Sequence, residues 1–451
     1  MGRFFGTDGV RGKANHEPMT VETALKIGKA IACLFQDPQG KSSGKIIVGK
    51  DTRLSGDMIE HALIAGICSM GSHTLRVGVI PTPAVSFLTV QEKADAGIMI
   101  SASHNPYDDN GIKIFANHGR KLSDEGERIL ENMLLANNFD SCLPPYDALG
   151  HALRMDNAQR KYINFLKETF LPEETLAGTK IVLDCAHGAT FQVAPAVFRE
   201  LEGNIITLFD SPNGININHE CGSQHPRRLT EEIIRNKACC GFAFDGDGDR
   251  VIAVDEEGQV LTGDQMLAIC ARFMKEEGML TNNLLVRTVM SNIGLTITLK
   301  ELGIDYVLTD VGDRYVLEAM LDKGAVLGGE DSGHLLFMNH HTAGDGILSA
   351  LQVMGIMKKR GKKLSELARI MTVYPQTLMN VETKSRPDLS TIPAVKRVIE
   401  DVEASLQDKG RILVRYSGTQ NLCRVMVEGP TTGETSLYCK QITDVIRAEL
   451  G

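Results

Sequence analysis

The sequence predicts an α/β protein: three similar layered α/β domains with mixed sheets, plus a smaller C-terminal α+β domain, around a central cleft. An apolar run, a polar or glycine-containing loop and a helix-like stretch follow one another three times along the chain. Strands that alternate with helices in this way form layered α/β domains. The length of 451 residues suits three or four domains of about 150 residues each.

Each of the three units starts with an apolar run that predicts a strand, and continues into a stretch with helical spacing. A further buried strand is predicted at 96–100, directly before a serine-rich loop. In chain order, the strand and helix of each unit are predicted at 45–49 and 59–66, 180–183 and 193–201, and 284–286 and 295–302.

The C-terminal part has a different pattern. Val373-Tyr374-Pro375 ends a helix predicted at 364–371, because proline cannot continue a helix. A strand, a helix, two paired strands and a closing helix are then predicted at 380–383, 393–406, 411–415, 422–427 and 435–450. The predicted domains are therefore 1–153, 154–254, 255–371 and 372–451.

Composition narrows the function classes. With 43% apolar and 23% charged residues, the chain can bury several cores. A formal net charge of −9 argues against nucleic acid or a membrane surface as partner. The ten cysteines show no paired CxxC spacing, so we expect reduced thiols and a cytoplasmic location. No apolar run approaches the roughly 20 residues needed to span a bilayer, and no signal peptide is recognised.

The most informative segment is Asp245-Gly246-Asp247-Gly248-Asp249-Arg250, which lies between two apolar runs. Three carboxylates this close raise one another's pKa unless a cation neutralises them. The glycine spacers let alternate side chains converge, and an all-oxygen donor set suits a hard divalent ion such as Mg²⁺. An EF-hand is the competing interpretation, but Arg250 replaces its turn glycine and a strand-like run follows.

A second candidate loop, Ser101-Ala102-Ser103-His104-Asn105-Pro106, leaves the strand predicted at 96–100. A serine at a strand end beside a carboxylate-bound cation is typical of phosphoryl transfer. The chemistry alone does not choose between Ser101 and Ser103. We do not expect His104 to act as the base for its neighbour, since adjacent side chains in extended backbone point opposite ways.

Three further loops are rich in polar groups. Glu330 and Ser332 are suited to sugar hydroxyls, and His334 is suited to proton exchange near neutral pH. The loop 415–424 offers two guanidiniums around a glycine, as an anion site requires, and the N-terminal loop presents Thr7 and Arg11. Plain glycine turns and a hairpin turn are the alternatives. His340-His341 has no third ligand nearby in sequence, so it does not predict a metal site.

In combination, these loops resemble the α-D-phosphohexomutase superfamily over essentially the whole chain. The serine loop, the aspartate loop, the loop 328–334 and the loop 415–424 occur in the family's order. Within it, the segments 5–12, 81–85, 184–190 and 311–316 resemble the bacterial phosphoglucosamine mutases. The four domains would then be the phosphoserine, metal-binding, sugar-binding and phosphate-binding domains.

The resemblance implies a role for each candidate residue. Ser103 matches the family's phosphoserine, whose phosphate completes a Mg²⁺ site, one ion per subunit, with Asp245, Asp247 and Asp249. Arg250 and Lys113 lie where the family keeps charge near the transferring group, and Lys113 and His334 are the candidates for proton transfer. The residues expected to bind substrate are Thr7, Arg11, Glu330, Ser332, Arg415, Ser417, Gly418, Thr419 and Arg424.

The implied reaction interconverts glucosamine 6-phosphate and glucosamine 1-phosphate for UDP-N-acetylglucosamine synthesis, with glucosamine 1,6-bisphosphate as intermediate and activator. The alternatives are a phosphomannomutase or phosphoglucomutase, a catalytically silent sugar-phosphate-binding protein and a Mg²⁺-dependent phosphatase. The expected partner is a phosphosugar, without nucleic acid or membrane, and a homodimer is left open.

Overall fold

A computed structural model describes residues 4–6, 9–36, 44–172, 174–416 and 421–451. The contacts divide the chain into two compact units. One comprises 1–289 with 305–368, and the other comprises 290–304 with 369–451.

The described strands belong to four sheets. They are β1 (Phe5–Gly6), β2 (Gly9–Lys13), β3 (Lys45–Lys50), β4 (His73–Val79), β5 (Ala96–Ile100), β6 (Asp109–Ala116), β7 (Ala152–Arg154), β8 (Lys180–Asp184), β9 (Asn204–Leu208), β10 (Cys240–Phe244), β11 (Val251–Asp255), β12 (Val260–Leu261), β13 (Leu284–Thr288), β14 (Asp305–Thr309), β15 (Leu327–Gly329), β16 (Leu335–Phe337), β17 (Gln376–Glu382), β18 (Arg411–Tyr416) and β19 (Leu422–Glu428).

Helices separate most of these strands along the chain. The α-helices are α1 (Val21–Leu34), α2 (Gly56–Ser69), α3 (Thr82–Gln91), α4 (Asp124–Ala136), α5 (Ala158–Glu168), α6 (Val193–Glu200), α7 (Arg227–Asn236), α8 (Gly263–Glu276), α9 (Ile293–Glu301), α10 (Asp313–Lys323), α11 (Gly346–Arg360), α12 (Leu364–Ala368), α13 (Pro393–Leu406) and α14 (Thr432–Leu450). Short 3₁₀ turns lie at Asp140–Cys142, Thr281–Asn283, Leu389–Thr391 and Gln407–Lys409.

The first unit contains three mixed sheets, with strand orders β1-β2-β6-β5-β3-β4-β7, β12-β11-β10-β8-β9 and β14-β13-β15-β16. In each sheet the central strands are parallel, and an antiparallel strand follows the strand that leads into a candidate loop. These loops leave the carboxyl ends of β5, β10 and β15. Ligands of α/β sheets bind at this end of the strands.

The second unit contains an antiparallel sheet of order β17-β19-β18, with α13 and α14 packed beside it. Its core is formed by residues such as Val381, Val425, Val427 and Ile442, all nearly inaccessible to solvent. The buried Glu428 side chain accepts hydrogen bonds from Arg411 Nε and from the Ile293 backbone N–H, the latter at 2.9 Å. The hydrogen bond from Ile293 links the segment 290–304 to the C-terminal sheet.

The predicted fold class is confirmed, and most elements lie where the sequence predicts them. The strand at 96–100 and the helix at 393–406 have the predicted bounds, and β18 pairs with β19 as expected. The helix predicted at 364–371 is shorter, because α12 ends at Ala368. The predicted domain boundaries stay a prediction.

The expectation of ten reduced thiols is wrong for one pair. Cys33, near the end of α1, and Cys142, in a 3₁₀ turn, form a disulfide with a Cα–Cα distance of 5.8 Å. Their sequence separation of 109 residues gave no pattern from which the pairing could be read. Among the described helices, none combines the length and the apolar character that a membrane crossing requires.

Candidate active site

The structure distinguishes the two serines that the sequence left open. Ser101 Oγ donates a hydrogen bond to Asp51 Oδ2 at 2.5 Å and accepts one from the Ser103 backbone N–H at 2.9 Å. Ser103 Oγ instead donates to Asp245 Oδ2 at 2.6 Å. The Ser101 hydroxyl therefore supports the loop, whereas the Ser103 hydroxyl faces the acidic cluster.

The expectation for His104 is wrong in its premise. Ser103 has a φ of 52°, so the backbone is left-handed rather than extended at this point. As a result His104 Nδ1 lies 3.5 Å from Ser103 Oγ and 3.0 Å from Arg250 Nη1. Burial, together with the charges of Arg250 and Arg11, lowers the pKa of His104 to about 4, so the ring is neutral at pH 7.

Asp245, Asp247 and Asp249 converge as predicted, with one oxygen from each carboxylate within 4.8 Å of the others. All three side chains are buried. Burial and the charges of the other two aspartates raise the pKa of Asp245 well above its usual value. Burial acts in the same sense on Asp249, but Lys113, His334 and Arg250 together hold its pKa well below the usual value.

The donor set fits a hard divalent cation. The Oδ1 atoms of Asp247 and Asp249 are buried, and neither accepts a hydrogen bond from a described residue. Orphaned buried carboxylate oxygens are costly, whereas a cation among them satisfies both. The cluster is therefore suited to a divalent metal ion held by oxygen atoms.

Two glycines are required where the candidate loops approach one another. A Cβ atom on Gly246 would lie 2.5 Å from the Ser103 carbonyl oxygen, and one on Gly333 would lie 2.0 Å from the Val251 carbonyl oxygen. Gly333 also has a φ of +88°. Its carbonyl accepts a hydrogen bond from the Val251 N–H at 3.1 Å. These contacts place the loop 330–334 against the strand that follows the aspartate loop.

Lys113 and Arg250 bring positive charge to the cluster. Lys113 Nζ lies 2.8 Å from Asp247 Oδ2 and 3.3 Å from Asp249 Oδ2, and its side chain is only 1% exposed. Arg250 is also largely enclosed, and nearby carboxylates, Asp249 first, raise its pKa further. When all three carboxylates are ionised they outnumber these two cations, so a metal ion would neutralise the remaining negative charge.

His334 lies between two carboxylates on the other side of the cluster. Its Nδ1 is 3.9 Å from Asp249 Oδ2, and its Nε2 is 3.6 Å from Asp313 Oδ2. Burial alone would lower the pKa of His334, but these neighbours outweigh it and raise the pKa. Asp313 also pairs with Lys121 at 2.5 Å.

The two residues expected at sugar hydroxyls are near this group. Glu330 Oε1 accepts a hydrogen bond from the Gly312 N–H at 3.1 Å, and Ser332 Oγ donates to Glu330 Oε2 at 3.3 Å. The charge of Glu330 also contributes to the raised pKa of Arg250. Both residues belong to the turn that joins β15 to β16, as the glycine bracketing of the sequence indicates.

Of the remaining residues expected to bind substrate, some lie in the part of the chain that the structure describes and others do not. Arg11 lies in β2, close enough to His104 to lower its pKa. Arg415 and Arg424 are direct partners in the β18–β19 ladder, so their side chains leave the same face of the sheet. The Arg424 Nε atom is buried. Thr7, Ser417, Gly418 and Thr419 lie outside the described residues.

Comparison with known proteins supports a single family. Domains I, II and III and the C-terminal domain of the phosphoglucomutase/phosphomannomutase family match residues 2–141, 160–258, 262–374 and 378–445. A phosphoglucosamine mutase of Syntrophus aciditrophicus is 60% identical over 451 residues, which is all of both chains. One from Syntrophobacter fumaroxidans is 53% identical, again over all of both chains.

The chain belongs to the phosphohexomutase superfamily, among the phosphoglucosamine mutases. It is therefore an isomerase of the mutase type. A phosphoglucomutase/phosphomannomutase family protein from Burkholderia thailandensis, only 22% identical, has the same fold, with a TM-score of 0.79 over 98% of this chain and 96% of that one.

Several residues of this phosphohexomutase site were missed by sequence reasoning. Thr82 donates to Asp247 through its hydroxyl at 2.5 Å and through its backbone N–H at 2.8 Å. Asp51 and Arg53 lie buried beneath the serine loop, and Asn218 reaches it from the loop between β9 and α7. These residues lie too far from the serine loop and the aspartate loop in the sequence to belong to one local motif with them. The available signals are that Asp51 and Arg53 directly follow a buried strand and that Thr82 lies in the segment 81–85, which contributes to the family resemblance.

Proposed function

We propose that this phosphohexomutase interconverts glucosamine 6-phosphate and glucosamine 1-phosphate through a phosphoserine at Ser103. The Ser103 hydroxyl, 2.6 Å from Asp245 in a buried acidic cluster, is the observation that carries the proposal. The 60% identity to a phosphoglucosamine mutase supports the choice of the amino sugar over glucose or mannose.

The proposed reaction has two phosphoryl transfers. In the first, the P–Oγ bond of phospho-Ser103 breaks and a bond forms to O1 of glucosamine 6-phosphate, whose hydroxyl proton leaves to a base while Ser103 Oγ takes up a proton. The product is glucosamine 1,6-bisphosphate. In the second, the P–O6 bond breaks and a bond forms from the same phosphorus to Ser103 Oγ, whose proton leaves to a base while O6 takes up a proton. Phosphoserine is regenerated and glucosamine 1-phosphate is released.

The side chains of the protein would bind and orient the sugar phosphate and exchange protons with it. The buried Lys113 ammonium, paired with Asp247 and Asp249, is placed to offset charge on the transferring oxygens. His334, whose pKa is raised, is suited to exchange a proton with the sugar hydroxyl. Glu330 and Ser332 would accept and donate hydrogen bonds to the other hydroxyls. Arg415 and Arg424 offer guanidiniums to the phosphate that does not react.

The metal ion proposed for the aspartate cluster is Mg²⁺, one per subunit. Asp245, Asp247 and Asp249 would hold it, and when bound it supplies positive charge that stabilises the transferring phosphoryl group. Burial of these residues excludes water, which would otherwise hydrolyse the phosphoserine. A homodimer and a cytoplasmic location stay predictions.

The test follows turnover by phosphorus NMR. Purified protein is primed with hexose 1,6-bisphosphate and Mg²⁺ and is given glucosamine, glucose and mannose 6-phosphates separately. We expect turnover of the glucosamine substrate to be preferred and to be abolished in Ser103→Ala. Ser69→Ala is the matched control, because Ser69 Oγ only donates to the Gly66 carbonyl within α2. This variant should retain activity.

Each rival function has its own outcome in this experiment. Preference for mannose or glucose 6-phosphate would replace the amino sugar with a phosphomannomutase or phosphoglucomutase activity. Free phosphate without isomer formation would indicate a phosphatase. Binding without any turnover of the three sugars would indicate a silent binding protein. Activity retained by Ser103→Ala would remove Ser103 from the mechanism.

A further inference from the structure

A buried arginine lies beneath the serine loop and bonds mainly to its backbone. The Arg53 side chain is inaccessible to solvent, and its Nε donates to Asp51 Oδ2 at 2.9 Å. Its Nη2 donates to the carbonyl oxygens of Ser103 and Asn105 at 2.9 and 2.8 Å. Its Nη1 donates to the Asp109 carbonyl at 3.0 Å and also to that of Pro106. One guanidinium thus binds four carbonyl groups of the segment 103–109, which comprises the serine loop and the first residue of β6.

A second side chain reaches two of the same carbonyl groups from the loop between β9 and α7. Asn218 Nδ2 donates to the Ser103 carbonyl at 2.8 Å and to the Asn105 carbonyl at 3.0 Å. The Ser103 carbonyl therefore accepts hydrogen bonds from a guanidinium and from an amide. Asp51, besides holding Arg53, accepts the Ser101 hydroxyl, which in turn accepts the Ser103 backbone N–H. Both polar backbone groups of Ser103 are therefore fixed by this set.

The conformation held in this way is one that serine rarely adopts. Ser103 has a φ of 52°, which is strained for a residue with a Cβ and persists only where surrounding contacts impose it. The left-handed turn directs Oγ to Asp245, 2.6 Å away. If the carbonyl groups were released, the backbone would relax toward an ordinary conformation and Oγ would leave the acidic cluster.

We propose that Arg53, oriented by Asp51 and assisted by Asn218, is a positioning residue for the phosphoryl-carrying serine. It acts through the Ser103 backbone, and no contact with the substrate is required. This inference rests on the proposed function, in which Ser103 carries the phosphoryl group. Arg53 would therefore govern the rate of phosphoryl transfer and leave sugar recognition unaffected.

The decisive variant is Arg53→Lys. It keeps the positive charge, but a single ammonium cannot reproduce a fork that spans four carbonyls and a carboxylate. We expect kcat to fall roughly 100-fold, because a displacement of about 1 Å has that effect. KM for the sugar phosphate should stay within about threefold, since no substrate contact is lost. Phosphorylation of Ser103 by hexose 1,6-bisphosphate, followed by intact mass, should slow in parallel.

Two further variants make the test independent of folding. Asn218→Gly removes the amide and suits the φ of 60° at this position, so the backbone is not strained by the change. It should lower kcat by about tenfold with KM unchanged, because Arg53 still binds both carbonyls. Arg76→Lys is the matched control. Arg76, in β4, pairs with Glu60, in α2. This variant should keep the wild-type kcat.

The outcomes separate this inference from the function on which it rests. If wild-type protein turns over sugar phosphate and Ser103→Ala does not, the proposed function stands. In that case, a kcat within about threefold of wild type in both Arg53→Lys and Asn218→Gly overturns the positioning role alone. If Arg53→Lys does not fold, an unchanged kcat in Asn218→Gly overturns it. A rise in KM with unchanged kcat would make Arg53 a binding residue, which also contradicts the proposal.

Discussion

Replacing Asp245 of the aspartate cluster with asparagine should stabilise the metal-free protein. Asp245 is buried beside two other carboxylates, and these neighbours raise its pKa well above the usual value. Asn has the same shape. Its Oδ1 can accept the Arg250 N–H that Asp245 accepts at 3.2 Å. Its Nδ2 can donate to Ser103 Oγ, because the serine hydroxyl can turn and accept. Asp245→Asn therefore removes a charge without losing a hydrogen bond.

The size of the effect follows from the spacing of the carboxylates. Two like charges 4.8 Å apart repel by about 3.5 kcal/mol at an effective dielectric constant of about 20. An ionised Asp245 meets this repulsion from both neighbours, and Lys113 and Arg250 offset part of it. We expect a net gain of roughly 1–3 kcal/mol in the free energy of unfolding of the variant near pH 7.5 without metal.

The pH dependence has a definite sign. In the metal-free wild type, the folded state retains the Asp245 proton at a pH where the unfolded state has released it. Stability therefore falls as pH rises from the ordinary aspartate range toward the raised pKa, by about 1.4 kcal/mol per pH unit for one proton. Asp249, whose pKa is held low, stays ionised throughout this range. Asp245→Asn should lose this one-proton contribution to the slope, whereas the contribution of Asp184, whose pKa burial raises to about 7, stays in both proteins.

The assay is urea unfolding between pH 5 and 8, with a chelator and with excess Mg²⁺. Asp184→Asn is the matched control, because Asp184 is equally buried but accepts backbone N–H groups of Ala186 and Gly222 at 2.8 and 2.9 Å. In Asp184→Asn the amide Nδ2 would face a backbone N–H, so two donors would meet. The free energy of unfolding should fall by about 1–3 kcal/mol. If metal-free Asp245→Asn is less stable than wild type, or if Mg²⁺ stabilises both equally, the charge argument is refuted.

Two further predictions concern buried pairs. Lys113→Met leaves Asp247 and Asp249 without their ammonium, so the metal-free protein should lose about 3–5 kcal/mol of stability, and Mg²⁺ should recover much of it. An equal loss in urea unfolding with and without Mg²⁺ would contradict this. Tyr162→Phe removes a buried hydroxyl that donates to Asp345 at 2.6 Å, and should cost about 1–3 kcal/mol with kcat unchanged. Unaltered urea unfolding would show that this bond contributes nothing.

The sequence alone predicted the layered α/β fold class and the order of its strands and helices. Apolar periodicity and glycine-bounded loops are local signals, and they indicated the strand at 96–100 and the helix at 393–406 with their observed bounds. The aspartate cluster was also predictable, because three carboxylates separated only by glycines have no place in an apolar core. Here the residues that form the cluster are close together in the sequence.

Other features depended on residues that are distant in the chain. Sequence reasoning alone did not choose between Ser101 and Ser103, and it assumed extended backbone where the structure has a left-handed turn. That turn is imposed by Arg53 and Asn218, which lie 50 and 115 residues from Ser103 along the chain. The disulfide between Cys33 and Cys142 was missed for the same reason.

Side-chain type and spacing thus determined which chemistry the sequence predicts, since the proposed metal-binding and sugar-binding groups are short segments with a recognisable composition. Tertiary structure decided which hydroxyl faces the aspartates and which arginine fixes it there. The direction of the Ser103 side chain depends on its backbone conformation, and that conformation is held by hydrogen bonds from side chains on two other loops. No local pattern of residues encodes such a contact.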